Sequence, residues 1–220
     1  RRVLFRSGIT NEEDVKTCER NGAELIGFIN IQRSKRFIEV DDIQKLTAYM
    51  QDKSRAVVVT ETEDLVEVES LIESTGIQYV QFHSQSAAEL KRFKKNNPQV
   101  KVIRAVGISE VMGEEKSKEI NDYASVCDYL LFDYEVAGKS GGTGKQIPLE
   151  LAVKAAEAAQ KNPHVGLFLA GGMDSYRMKI EGKILEDFFD YVDVNSGVEK
   201  QPGEKDENKI IEFMKVMNNS

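Results

Sequence analysis

The sequence predicts an α/β chain folded as a single (β/α)8 TIM barrel of parallel strands. Short apolar runs rich in β-branched residues alternate with longer amphipathic stretches along all 220 residues, giving about eight strand-helix units. The strands read as nearly continuous apolar runs, as strands covered on both faces do in parallel sheets. An open doubly wound sheet normally carries fewer strands and a Gly-rich turn after the first, where this chain has only Gly8.

Taken in order, the first strand is expected over residues 3–5, followed by a helix between Asn11, an N-cap residue, and Gly22, a C-terminal stop. Residues 25–29 form the second strand and 41–50 its helix. The third strand is 56–59; its helix, 64–74, repeats Leu65, Val68, Leu71 and Ile72 at helical spacing. A fourth strand at 79–82 precedes a helix over 87–96 that ends before Pro98, and 100–105 is the fifth strand. The helix at 114–124 has little apolar periodicity. The sixth strand, 129–132, runs into a loop holding Gly138, Gly141, Gly142 and Gly144, then a helix from Pro148 to about 161. The seventh strand, 165–170, ends at Gly171-Gly172 and is followed by a helix within 175–189. Residues 191–194 are the eighth strand, and 206–217 close the chain as an amphipathic helix. No Pro/Ser-rich linker or charge block divides the sequence, so 1–220 is expected to be one domain.

Composition narrows the function. With 40% hydrophobic and 30% charged residues the chain reads as soluble and globular. No apolar run approaches the roughly 20 residues that span a membrane. A net charge of −7 argues against non-specific nucleic-acid binding and leaves room for a local basic pocket holding an anionic metabolite. Cys18 and Cys127 fall at no metal-ligand spacing and read as small buried residues of a reducing, cytoplasmic compartment. His83 and His164 are the only histidines, so no histidine-built metal site is expected.

In such a barrel the site lies where strands end and helices begin. Those positions hold Ser7-Gly8, then Arg33, Lys35 and Arg36, then Gln81 and His83, Arg104, Asp133, Gly171-Gly172 and Asn195-Ser196-Gly197. The stretch 128–145 delivers a carboxylate, Asp133, from an apolar strand into a Gly-rich loop. Gly-containing loops after strands six, seven and eight are neighbours in a barrel, where backbone N–H groups commonly hold a phosphate. Asp133 reads as a reacting group or as a loop cap, and Arg104 as part of the charge field or as a cap for nearby carbonyls.

These residues resemble a family. Gly8-Ile9-Thr10-Asn11-Glu12-Glu13-Asp14, Ser34-Lys35-Arg36-Phe37, Val80-Gln81-Phe82-His83, the GGTGK run at 141–145, LAGG at 169–172 and VDVNSGVE at 192–199 are similar, in order over nearly the whole chain, to phosphoribosylanthranilate isomerase. The resemblance implies an Amadori rearrangement in tryptophan biosynthesis. In it N-(5-phosphoribosyl)anthranilate becomes 1-(2-carboxyphenylamino)-1-deoxyribulose 5-phosphate, with no metal or organic cofactor. By the same resemblance Asp133 is the general acid, its pKa raised at an apolar strand end, and Arg36 meets the anthranilate carboxylate. Backbone groups at Gly142, Gly144, Gly171, Gly172, Ser196 and Gly197 hold the phosphate. His83 contacts substrate directly or serves structure. The partner is a small phosphosugar rather than a nucleic acid or membrane, and the chain is expected to be a monomer or homodimer.

One position departs from the family. Its general base is a cysteine directly before Gly-Ile-Thr, and this chain has Ser7 there. A hydroxyl is a far poorer base than a thiol. Cys18, inside the first helix, and Cys127, ahead of strand six, are not placed to replace it. Residues 1–7, RRVLFRS, read as the translation of a common sequencing-adapter tail and are expected to be non-native sequence standing in place of a native first strand that ended in cysteine. A genomic serine codon at position 7 would contradict this. The alternatives are another phosphate-binding barrel enzyme or, because of Ser7, a non-catalytic phosphometabolite-binding barrel. An indole-glycerol-phosphate synthase wants catalytic lysines inside the first six strand runs, and a ProFAR-type isomerase wants a Gly-rich loop in the first half. The one lysine in those runs, Lys101, stands at the start of the fifth rather than at its site end, and no Gly-rich loop occurs in the first half.

Overall fold

The structure, a computed structural model, describes residues 2–4, 8–136, 139–140 and 145–219. Its strands are β1 (Arg2–Leu4), β2 (Ile26–Asn30), β3 (Ala56–Thr60), β4 (Tyr79–Phe82), β5 (Lys101–Ile108), β6 (Tyr129–Val136), the short β7 (Lys139–Ser140), β8 (Gly166–Leu169), β9 (Tyr191–Asp193), β10 (Glu199–Gln201) and β11 (Glu204–Lys205). Helices α1 (Glu12–Arg20), α2 (Val40–Ala48), α3 (Leu65–Thr75), α4 (Ala87–Asn96), α5 (Glu114–Ala124), α6 (Leu149–Ala159), α7 (Ser175–Leu185) and α8 (Glu207–Asn219) alternate with them.

Eight strands pair in the order β1-β9-β8-β6-β5-β4-β3-β2, every neighbouring pair parallel. At the remaining seam the Ile9 N–H donates to the Gly27 carbonyl at 3.4 Å. This is the predicted (β/α)8 barrel. The period of two sorts its side chains. Leu25, Val57, Ile103, Leu131, Phe168 and Tyr191 pack inside the barrel with Tyr79 and Tyr129. Their strand neighbours Ile26, Val58, Val102, Leu130 and Phe132 join the layer beneath the helices. Phe168 and Tyr191 stack at 4.2 Å, with Tyr129 edge-on to Tyr191 at 5.9 Å, and these rings fill the N-terminal end of the barrel.

Helix starts follow side-chain chemistry. Asn11, Asp64 and Asp174 accept backbone N–H groups at the starts of α1, α3 and α7, and Ser86 with Glu89 forms a full capping box on α4. Helix α7 hides its periodicity because Tyr176, Ile180 and Ile184 are exposed on one side while Arg177 is buried on the other. The first strand, expected over 3–5, is described over Arg2–Leu4, in register with β9; Phe5 lies outside the described residues. Strand β6 runs past Phe132 to Val136 because β5 pairs with it as far as Tyr134, and β7 then adds antiparallel to its end. Between β9 and α8 the chain inserts a 3-10 turn (Ser196–Val198) and the β10–β11 hairpin. Among the described residues no helix is long and apolar enough to cross a membrane.

Candidate active site

A cavity of about 410 Å³ lies at the C-terminal ends of the barrel strands. Arg36, His83, Asp133, Gly171, Gly172 and Ser196 all line it, so six of the expected site residues converge. Gly197 follows Ser196, and its α-carbon packs so tightly on the Met173 carbonyl that an added Cβ would overlap it. This contact joins the loop after β9 to the loop after β8. Ser7, Gly142 and Gly144 lie outside the described residues.

Strand parity explains which side chains arrive. Asp133 shares the inward face of β6 with Tyr129 and Leu131. Arg104 has the opposite parity, that of Val102 and Val106, and points beneath the helices. There it donates to the carbonyls of Phe82 at 3.3 Å and His83 at 2.6 Å, and it lies 4.6 Å over the Tyr123 ring. Of its two readings, capping carbonyls is the one the structure supports.

Asp133 is half-buried, and its Oδ1 accepts the Tyr134 N–H at 2.7 Å. Gly171 faces it with a left-handed φ of 81°, so close that an added Cβ would sit 2.7 Å from that oxygen. Buried Arg177 holds the glycine pair from behind, donating to the carbonyls of Ile147 at 2.6 Å and Gly171 at 3.4 Å. Among the described residues the N–H groups of Gly171, Gly172, Ser196 and Gly197 have no hydrogen-bond acceptor. Such a cluster of backbone donors is suited to an anion. Gly171→Ala is expected to lower stability by about 1–2 kcal/mol from the left-handed backbone alone, measured by urea unfolding, and to displace the Asp133 carboxylate.

Arg36 is 12% exposed and engaged on one edge: Nε and Nη2 donate to the two carboxylate oxygens of Glu199 at 2.9 and 2.6 Å. Glu199 also accepts from Lys205 Nζ at 3.1 Å and the Gly203 N–H at 3.2 Å. Burial works to raise the Glu199 pKa, but the Arg36 hydrogen bond and the Lys205 charge outweigh it, leaving the carboxyl below its ordinary value. Its stabilisation is therefore present above the unfolded pKa of about 4.3 and lost as pH falls through the folded value. Urea unfolding is expected to show part of the acid loss of stability disappearing in Glu199→Gln.

His83 Nε2 lies 2.7 Å from Gln81 Nε2, and the buried Gln81 Oε1 has no partner among the described residues. Gln81 lines the cavity, as do Asn195 and the apolar trio Ile29, Ile31 and Val59. Sequence reasoning placed Gln81 and Asn195 at strand ends, and Glu199 and Lys205 within the segments that carry the family resemblance, without giving any of them a role. The inward parity of Gln81 with Tyr79 was the available signal.

Burial pushes the thiols of Cys18 and Cys127 both up to about 12. Cys127 precedes β6 at the end of the barrel opposite Asp133, and Cys18 sits within α1. Neither supplies a thiolate to the cavity. Among the described residues no group of three or more His, Cys, Asp or Glu is arranged to hold a metal ion.

Comparison with known proteins gives a consistent result. The sequence model of the family described as N-(5'phosphoribosyl)anthranilate (PRA) isomerase matches residues 5–216. The N-(5'-phosphoribosyl)anthranilate isomerase of Methanothermobacter thermautotrophicus is 32% identical over 219 residues, covering 96% of this chain and 86% of that one. The crystal structure of phosphoribosyl anthranilate isomerase from Thermotoga maritima superposes with a TM-score of 0.81 at 26% identity, covering 100% of this chain and 99% of the other. A phosphoribosyl anthranilate isomerase solved in complex with reduced 1-(o-carboxyphenylamino)-1-deoxyribulose 5-phosphate gives 0.77 at 26% identity, with the same coverage. Barrel, cavity and sequence agree, and the chain belongs to the N-(5'-phosphoribosyl)anthranilate isomerase family.

Proposed function

We propose that this chain acts on N-(5'-phosphoribosyl)anthranilate, opening its ribose ring and moving the carbonyl to C2 to give 1-(2-carboxyphenylamino)-1-deoxyribulose 5-phosphate. The observation that carries this reading is the convergence on one cavity of Asp133, Arg36 and the backbone donors at Gly171, Gly172 and Ser196. They suit, in turn, the ring oxygen, the carboxylate and the phosphate of that substrate.

Asp133 gives its proton to the ring oxygen as the C1–O bond breaks, and the nitrogen lone pair forms the C1 iminium. The base, a cysteine in the family and Ser7 here, removes the C2 proton, slowly with serine, and the electron pair of that C–H bond closes the enamine. Tautomerisation leaves the ketone at C2 and a methylene at C1, with no net change in atoms. General acid-base groups contribute roughly 10²- to 10⁴-fold each. The phosphate is held by Gly171, Gly172, Ser196 and Gly197, with Gly142 and Gly144 assigned by family resemblance. Ile29, Ile31 and Val59 give the anthranilate ring an apolar wall. His83, paired with Gln81, faces the sugar.

The test is turnover of phosphoribosylanthranilate followed by the fluorescence of its aromatic ring, with mass spectrometry of the product. Product formed in D2O is expected to carry one deuterium at C1. Tight binding without turnover would instead mark a phosphometabolite-binding barrel.

A further inference from the structure

The hairpin β10–β11 sits beside the cavity and carries two charged groups that a plain barrel has no need to bury. Lys205 is wholly buried at its side chain and Glu199 is 4% exposed. Moving such charges out of water is costly unless they are paired and hydrogen-bonded. Here side-chain hydrogen bonds tie both groups to residues of the cavity wall. Lys205 Nζ donates to Glu199 at 3.1 Å and to Asn195 Oδ1, on the cavity wall, at 2.9 Å. Glu199 passes the link to Arg36, whose stem crosses Gly8 so closely that an added Cβ there would overlap it.

The geometry of the Arg36 contact is specific. A guanidinium offers two forks to a carboxylate, the side edge of Nε and Nη2 and the end edge of Nη1 and Nη2. Glu199 takes the side edge. Nη1 has no hydrogen-bond partner among the described residues, and Arg36 lines the cavity. The end fork thus remains for a ligand. Without Glu199 the long arginine side chain would have several rotamers to sample, and fixing it at binding would cost affinity.

We propose that Glu199, backed by Lys205, is the positioning residue that orients the end fork of Arg36 toward the carboxylate of the substrate. This rests on the isomerase reading above, in which that carboxylate belongs to anthranilate. The hairpin is anchored elsewhere: Asp14 accepts the Lys205 N–H at 3.0 Å, and Thr10 Oγ1 donates to the Gly203 carbonyl at 2.6 Å.

The test is calorimetric binding of two ligands, which does not depend on turnover. One is reduced 1-(o-carboxyphenylamino)-1-deoxyribulose 5-phosphate; the other is the same molecule built from aniline, without the carboxylate. Glu199→Gln is expected to weaken the first by about 10- to 100-fold while changing the second by no more than about twofold. Unchanged binding of the aniline ligand also reports a folded site. Should Glu199→Gln fail to fold, Glu199→Asp keeps the charge facing Lys205 and shortens the reach to Arg36, and the same selective loss is expected. Equal losses for both ligands, or no loss for either, would overturn the proposal. Arg36→Met separates the two levels of the account. If it is selective for the carboxylated ligand while the Glu199 variants are not, only the positioning role fails; if it is not selective, the carboxylate assignment fails and takes the positioning role with it.

Discussion

Ser7→Cys is expected to raise kcat on phosphoribosylanthranilate by roughly 10²- to 10⁴-fold, the range one positioned acid or base contributes. The reason is chemical. A serine hydroxyl is not appreciably ionised near neutral pH, whereas a thiol of ordinary pKa about 8.5 gives useful thiolate when its surroundings lower that value. Gly8, next in the chain, is buried at φ 94°, and an added Cβ there would meet Arg36 and Asn195 of the cavity wall. The two native cysteines do not compete for this role, since burial holds both thiols protonated. Binding of the reduced product analogue should change little on Ser7→Cys. A rate gain with constant affinity identifies the substitution as acting on proton transfer. No gain would mean that the base lies elsewhere.

Asp133→Asn, made in the Ser7→Cys chain, is expected to lower kcat by about 10²- to 10⁴-fold with KM little changed. Asparagine keeps the size of the side chain and its acceptor for the Tyr134 N–H, but has no acid proton to give to the ring oxygen. If Asp133 were only a loop cap, this isosteric change would leave kcat nearly intact. Asp133 is half-buried, less desolvated than an apolar strand end suggested, and Gly171 presses against its Oδ1 side.

Much of this architecture was legible before any coordinates. The inward face of β6 follows from alternation alone: Tyr129 and Leu131 face the interior, so Asp133 must follow them. The same counting places Arg104 with Val102 and Val106, beneath the helices, and settles a choice that residue type had left open. Helix starts at Asn11 and Asp64 were readable because a short side-chain acceptor acts within three residues. What escaped is non-local. The Arg36–Glu199 pair joins positions separated by 163 residues, and no periodicity links them. Glu199 lay inside the VDVNSGVE run, where nothing local points to the distant arginine it meets. Helix α7 was hard to place for a different reason: Tyr176 and Ile180 put apolar residues outward and Arg177 inward, reversing the usual pattern.

The measurement closest to the central claim is turnover of N-(5'-phosphoribosyl)anthranilate by the Ser7→Cys chain, with Asp133→Asn in the same background as the control. Conversion to the 1-deoxyribulose phosphate product is expected from the first protein, and loss of nearly all of that rate from the second. A Ser7→Cys chain that binds the reduced product analogue yet forms no product, or an Asp133→Asn control that is as active as its parent, would contradict it.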